Sequence, residues 1–301
     1  MQDHLYPLSF NLHWQIVVTR HITFVDMAHA RKPSIVLVPD SQEKRPLRKR
    51  LTRRVPVRPA SLFVPRSPGE TPEHHFPLQT VFTRTGQPRY VNRYDSREIL
   101  VVADGSCLHN GSRVYAPKGG CSFIYKGIGG AGPAGNGALL FQGGQHDANG
   151  TVSFRLEERG PGGEASSPTS NRAKLRAVIA ALEFREWHEE GWRRVVVATD
   201  LEYIVLGATR WLPIWVKRRW KTKGRRWKKI ANRDLWEELN GIIESLHGRG
   251  TEVSFWLIPP RASKEMDSAL VKETKHAARE AATRHPDEAA AEFTRLCGIM
   301  L

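Results

Sequence analysis

Two aspartates close strongly apolar runs: Asp104 follows ILVVA and Asp200 follows VVVAT. Runs of that kind read as strands buried on both faces. Each carboxylate then sits at the C-terminal end of a central strand, the edge where open α/β sheets bind ligands. If the two strands pair in parallel, the carboxylates lie side by side. Each then raises the other's pKa unless a cation stands between them, so the pair points to divalent-metal chemistry. Either aspartate alone could equally cap a turn or the following helix.

A second chemical signal lies between Arg210 and Arg233, where 11 cations occur without an acid and Trp211, Trp215, Trp220 and Trp227 are interleaved. Such a segment neutralises phosphates and offers aromatic faces to sugars or bases, with some of the tryptophans serving the core. Its candidate contacts are Lys217, Arg218, Arg219, Trp220, Lys221, Arg225, Arg226 and Trp227. The composition agrees: Lys+Arg 46 against Asp+Glu 31 leaves a formal charge of +15, which calls for an acidic partner. Charge alone does not separate nucleic acid from an anionic membrane face.

Other chemistries find little support. Cys107, Cys121 and Cys297 are odd in number, far apart and without CxxC spacing, so neither a disulfide framework nor a zinc site is indicated. GIGGAGPAGNGA (Gly127 to Ala138) lacks Walker or dinucleotide spacing and reads as an inserted loop. His13, Arg20 and His21 interrupt any signal-peptide core, and no apolar run reaches membrane-spanning length. The expectation is a soluble intracellular protein, nuclear or cytoplasmic, with no membrane partner.

The elements that must position the aspartates can be read from periodicity. EILVVADG (Glu98 to Gly105) and GGCSFIYK (Gly119 to Lys126) form a hairpin, and TVSFRLE (Thr151 to Glu157) alternates as a third strand. Thr169 or Ser170 caps a helix through RAKLRAVIAALEFREWHEE, with Leu175, Ile179 and Leu182 as its apolar stripe. A strand (Arg193 to Asp200), helical sequence, the helix DLWEELNGIIESLHGRG, the strand TEVSFWLIPP and a last helix in SKEMDSALVKETKHAARE follow. This order predicts an α/β domain with a mixed central sheet flanked by helices.

The domain is expected over residues 93–285. Before it, residues 1–92 show little sustained apolar period and recurrent prolines, which predicts a basic, disordered or only locally ordered segment. Its basic run, Lys44 to Arg54, reads either as a nuclear-localisation signal or nucleic-acid arm, or as a solvated linker. Residues 286–301 read as a helix-prone tail.

Taken in order, DGSCLHNG at Asp104, TSNRAKLRAVIAAL, TDLEYIV at Asp200 and IWVKRRWKTKGRRWKKIANRDLWEEL resemble successive motifs of the ribonuclease H family (type 1), fungal members in particular. The likeness runs from Asn92 to about Glu280. It implies a ribonuclease H-like fold with a basic protrusion. It also implies a site in which four carboxylates hold two Mg²⁺ ions, or Mn²⁺ in their place, to cleave the RNA strand of an RNA:DNA hybrid. Asp104 and Asp200 match two of those positions, and Asp267 in KEMDSAL matches the fourth. By the same resemblance Asn110 and Asn171 read ribose 2′-hydroxyls, which tells RNA from DNA, and Thr169 and Asn232 grip a DNA-strand phosphate.

The departure from the family is in the helix motif, where glutamate in RAEL is replaced by Lys174 in RAKL. A cation there repels Mg²⁺ and can pair with the neighbouring aspartates, weakening metal binding. Loss of a catalytic metal ligand costs on the order of a thousandfold or more in rate. Neither Glu183 nor Glu202 is positioned to replace it, and IPPRASKEMD lacks the histidine that many members place before the last helix. The expectation is a protein that binds RNA:DNA hybrid, or double-stranded nucleic acid more broadly, with impaired cleavage. An active endoribonuclease and a non-catalytic interaction scaffold remain as alternatives.

Overall fold

The structure, a computed structural model, describes residues 60–80, 87–127, 144–146, 150–221, 229–258, 268–284 and 291–296. The elements in chain order are β1 (Ser61–Leu62), α1 (Pro72–His75), β2 (Leu78–Gln79), β3 (Arg89–Tyr90), β4 (Glu98–Leu108), β5 (Lys118–Ile124), β6 (Gly144–His146) and β7 (Thr151–Arg155). They continue with α2 (Ser170–Glu183), β8 (Arg194–Thr199), α3 (Glu202–Leu206), a π-helical turn (Gly207–Trp211), α4 (Leu212–Lys217), α5 (Arg233–Gly248), β9 (Glu252–Leu257) and α6 (Ala269–Thr283).

Seven strands form one mixed sheet in the order β1-β9-β8-β4-β5-β7-β6. β4, β8, β9 and β1 run parallel, and β4, β5, β7 and β6 pair antiparallel. β4 is apolar on both sides because both sides are covered. Ile99, Val101 and Ala103 join the core beneath α2 and α5, while Leu100 and Val102 join a second core with Phe76, Trp256 and Leu270. This is the mixed α/β architecture that the sequence predicts.

Two glycines set how closely the helices lie on the sheet. A Cβ at Gly105 would collide with the backbone of Ala173 and Lys174 in α2, and one at Gly120 with the backbone of Ala278 and Ala282 in α6. The two helices therefore sit directly on the strands, α2 against β4 and α6 against β5, with no side chain between at these points.

Thr169 is the N-cap of α2, its hydroxyl accepting from the Arg172 N–H at 3.2 Å. The helix ends at Glu183, seven residues short of the expected Glu190. Beyond it, Trp187 and Trp192 turn into the core. The indole of Trp187 donates to Leu182 O, and Glu190 accepts from Arg89, Arg185 and Trp192, so tertiary bonds override a helix-favouring sequence.

The boundaries of the domain also differ from those expected. Residues 60–80 and 87–92 belong to the folded body: β1 adds a parallel strand to β9, and Phe63, His75 and Phe76 pack around Trp256. Phe76 and Arg89 are fully buried, the latter in an ion pair with Glu190 at 2.9 Å. Glu73 in α1 accepts from the Ser268 hydroxyl and the Leu270 N–H, both at 2.7 Å, and so satisfies the start of α6. Too few apolar residues occur in this stretch to give a periodic signal, and those that pack meet distant partners, Phe63 and Phe76 on Trp256 of β9 and Val91 beside Ile99 of β4. At the other end, residues 291–296 are irregular rather than helical. Leu296 is buried, and Phe293 lies under the Arg176 guanidinium. The basic run Lys44 to Arg54 lies outside the described residues, as does all but Gly127 of the glycine-rich loop.

Candidate functional site

The register of β4 against β8 pairs Val102 with Ala198. Two residues further along stand Asp104 and Asp200, next to one another. Asp200 directly follows β8, whereas Asp104 lies inside β4, which does not end at the aspartate as expected but continues to Leu108 because β5 goes on pairing with it. Asp104 is buried and Asp200 half-buried. At this point α2 crosses β4 in contact with Gly105, and that close approach delivers Lys174 to the carboxylates. Its ammonium donates to Asp104 Oδ1 and, at 2.5 Å, to Asp200 Oδ1. The side chain of Lys174 is 12% exposed, those of Asp104 and Asp200 10% and 18%, so solvent screens the triad weakly.

The electrostatics follow from that arrangement. Burial pushes the Asp104 carboxyl above its ordinary range, the Lys174 ammonium pulls it back, and Asp200 pushes it up again. Burial acts against the charge on Lys174, but the two carboxylates outweigh it and hold the ammonium protonated above the usual lysine range. The stable state is a cation between two carboxylates, in which the lysine supplies the positive charge.

The donor set does not match the divalent ions that the family resemblance implies. Asp104 and Asp200 point their oxygens at an ammonium. Among the described residues no group of three or more His, Cys, Asp or Glu side chains could hold a metal ion. These residues fit an internal ion pair rather than a two-metal centre. Asp267, the other expected acid, lies outside the described residues.

The neighbouring acids are engaged elsewhere. Glu183 is buried and accepts from Arg176 at 3.3 Å, while Arg176 is also paired with Glu157 at 2.7 Å. Arg176 is fully buried, and its guanidinium donates to Thr294 O, so this network fastens the C-terminal segment to α2. Glu202 is exposed in the first turn of α3. The sequence reading missed Lys275, an exposed residue of α6 whose ammonium lies 3.9 Å from Asp200 Oδ2. Nothing distinguishes it in sequence from other cations of a charged helix.

The residues expected to contact nucleic acid fall into two groups. Asn110 and Asn171 are exposed, and the Asn110 amide donates to Ser170 Oγ at 3.4 Å, joining the β4–β5 hairpin to the start of α2. Thr169 and Asn232 occupy the N-caps of α2 and α5, whose first turns are tied by a two-pronged ion pair from Arg172 to Asp234 at 3.0 and 2.5 Å. The two caps are thus held as a unit. Sequence reading also missed Arg172, because its partner is 62 residues away.

Within the basic segment Lys217, Arg218, Arg219 and Lys221 are exposed. The tryptophans are more structural than their spacing implies. Trp211, Trp215, Trp220 and Trp236 form a chain of rings with Tyr203, and the Trp236 indole donates to the Tyr203 hydroxyl at 2.8 Å. Trp220 is half-buried in this stack and is covered by the Arg233 guanidinium. Arg225, Arg226 and Trp227 lie outside the described residues. Among the described residues no helix is long and apolar enough to cross a membrane.

Comparison with known proteins gives a consistent picture. A ribonuclease H from Cyanothece sp. is 36% identical over 131 residues, spanning 44% of this chain and 69% of that protein. A ribonuclease H from Xanthomonas oryzae pv. oryzae is 36% identical over 148 residues, 49% of this chain and 73% of the relative. The crystal structure of LC9-RNase H1, described as a type 1 RNase H with the type 2 active-site motif, aligns at 28% identity with a TM-score of 0.38, covering 62% of this chain and 72% of the other. The RNase H family pattern itself matches residues 96–249, just over half of the sequence and the part that carries Asp104, Lys174 and Asp200. On the family pattern and the two relatives that are 36% identical, the chain belongs to the ribonuclease H family.

Proposed function

We propose that this protein binds RNA:DNA hybrid on the face formed by the N-terminal caps of α2 and α5 and the basic segment after α4. We further propose that its cleavage of the RNA strand is impaired because Lys174 stands where a metal-dependent relative needs a carboxylate. The observation that carries this reading is the Lys174 ammonium donating to both Asp104 and Asp200. A unit positive charge fixed between the carboxylates competes with Mg²⁺ or Mn²⁺ both for their lone pairs and by direct repulsion. Exposed Lys217, Arg218, Arg219 and Lys221 support phosphate binding. The caps at Thr169 and Asn232 and the exposed amides of Asn110 and Asn171 support contacts to backbone and ribose.

A working endonuclease is the second reading, favoured by Asp104 and Asp200 standing side by side where β4 and β8 pair. Cleavage of a labelled hybrid in Mg²⁺ and in Mn²⁺ separates the two. The native chain is compared with Lys174→Glu and Asp104→Asn. Cutting by the Glu variant alone supports silencing by Lys174. Cutting by the native chain that is lost in Asp104→Asn establishes an active enzyme. A native chain that binds hybrid with no salt dependence points instead to an interaction scaffold.

A further inference from the structure

We infer that the tip of the β4–β5 hairpin is an additional nucleic-acid contact, in which the rings of His109 and Tyr115 lie against the sugar edge of the RNA strand beside Asn110. The inference rests on the hybrid-binding reading above and extends it to residues that the basic segment and the helix caps do not include. Three observations carry it.

First, the tip exposes apolar surface without a structural use for it. Tyr115 is 63% and Val114 81% exposed, and neither belongs to a buried cluster. An aromatic ring left in water at that level adds nothing to the core and is suited to a partner that meets it with an apolar face.

Second, the loop is built to hold its rings. His109 adopts a left-handed backbone with φ 58°, a conformation that non-glycine residues seldom take, and its carbonyl accepts from the Ser112 N–H at 2.9 Å. The Ser112 hydroxyl in turn accepts from the Val114 and Tyr115 N–H groups, both at 3.1 Å. This turn brings the His109 and Tyr115 rings to a centroid separation of 5.0 Å with their planes tilted by 36°. A turn that already sets the two rings side by side lowers the entropy lost on binding.

Third, charge and position select the partner. From His109 to Lys118 the chain carries Arg113 and Lys118 and no acid, which suits a polyanion better than an uncharged apolar surface. The Asn110 amide bonded to Ser170 fastens the tip to the start of α2, so the rings continue the surface on which Thr169 and Asn171 stand. The shallow minor groove of a hybrid displays ribose faces and 2′-hydroxyls, which accept ring contacts and hydrogen bonds from the Tyr115 hydroxyl and the His109 imidazole.

The test is equilibrium binding of a fluorescent RNA:DNA hybrid at several salt concentrations, with native chain, Tyr115→Ala, Tyr115→Phe and Arg113→Ala. Tyr115→Ala is expected to weaken binding by about tenfold, the order found when one aromatic ring is removed from a nucleotide, with the salt slope unchanged because no charge is removed. Tyr115→Phe retains most of the affinity, and Arg113→Ala lowers the slope. Because Tyr115 is outside the core, all the variants keep the native thermal midpoint. If Tyr115→Ala binds as tightly as the native chain, the inference is overturned while the hybrid-binding reading stands. If the native chain itself shows no salt-dependent affinity for the hybrid, both are overturned.

Discussion

Lys174 and Asp200 are joined at 2.5 Å, and the same ammonium donates to Asp104, so a helix side chain ties β4 to the end of its neighbour β8. Breaking one member of a buried ion pair leaves an uncompensated charge. Lys174→Gln is therefore expected to lower unfolding stability by about 3–5 kcal/mol, measured by urea denaturation. Mg²⁺ at millimolar concentration should raise the midpoint of the Gln variant, where the carboxylates are without their cation, and leave the native midpoint where it is. Equal stabilisation of both proteins would refute the competition between lysine and metal.

Glu183 gives the fold a pH signature. Burial pushes its carboxyl up to about 7; Arg176 and then Arg295 pull it down, and Glu238 pushes it up. Arg176 is shared with Glu157, and Arg295, 4.0 Å from Glu183, is shared with Glu238, so both cations beside Glu183 are divided with other acids. Because the folded-state value lies above the ordinary 4.5, the folded state binds the extra proton between those values. This group's contribution is thus greatest at the acid end, falls as pH rises from about 4.5 to about 7, and is level above that. Denaturation midpoints across this window should decline less steeply for Glu183→Gln than for the native protein. Parallel curves would show that the carboxyl does not titrate there.

The segment ahead of the family-matched region is expected to be required for stability. Phe76 is fully buried, with its ring 5.5 Å from Phe63 and 6.1 Å from Trp256. Phe76→Ala should cost about 3–5 kcal/mol in denaturant titrations. A chain beginning at residue 93 should be less stable still, because it also lacks the Glu73 acceptor at the start of α6. A truncated chain as stable as the full one would show that β1 and α1 are merely attached.

Salt dependence resolves the basic segment. Alanine at Lys217, Arg218 or Arg219, each exposed, should lower the slope of log affinity against log salt by about one for each phosphate that the removed cation neutralises, without changing the thermal midpoint. Trp215→Ala should act differently. Its ring packs at 5.5 Å against buried Trp236, so the thermal midpoint should fall as well. Binding titrations and melting curves on the same samples separate the two kinds of residue.

Much of the fold was legible from local pattern. The apolar runs before Asp104 and Asp200, the alternation in β7, the Thr169 cap and the acid-free basic stretch are properties of neighbouring residues. Their outcome depends on propensity and burial more than on distant partners. The apolar runs also placed both carboxylates on central strands, though β4 continues past Asp104 to Leu108.

What the tertiary structure alone decided is which distant groups meet. Lys174 lies 70 residues from Asp104 and 26 from Asp200, and it reaches both only because Gly105 lets α2 settle onto β4. The early end of α2, the docking of residues 60–80 and 87–92 and the packing of the Trp215 ring on buried Trp236 have the same origin. In each case side chains with weak local preference found buried partners far away in sequence, and the free energy of packing and ion pairing outweighed the local signal. The sequence determined that two carboxylates follow the apolar stretches of two central strands. Tertiary structure decided that the cation between them is a lysine, because only packing brings that helix turn within bonding distance.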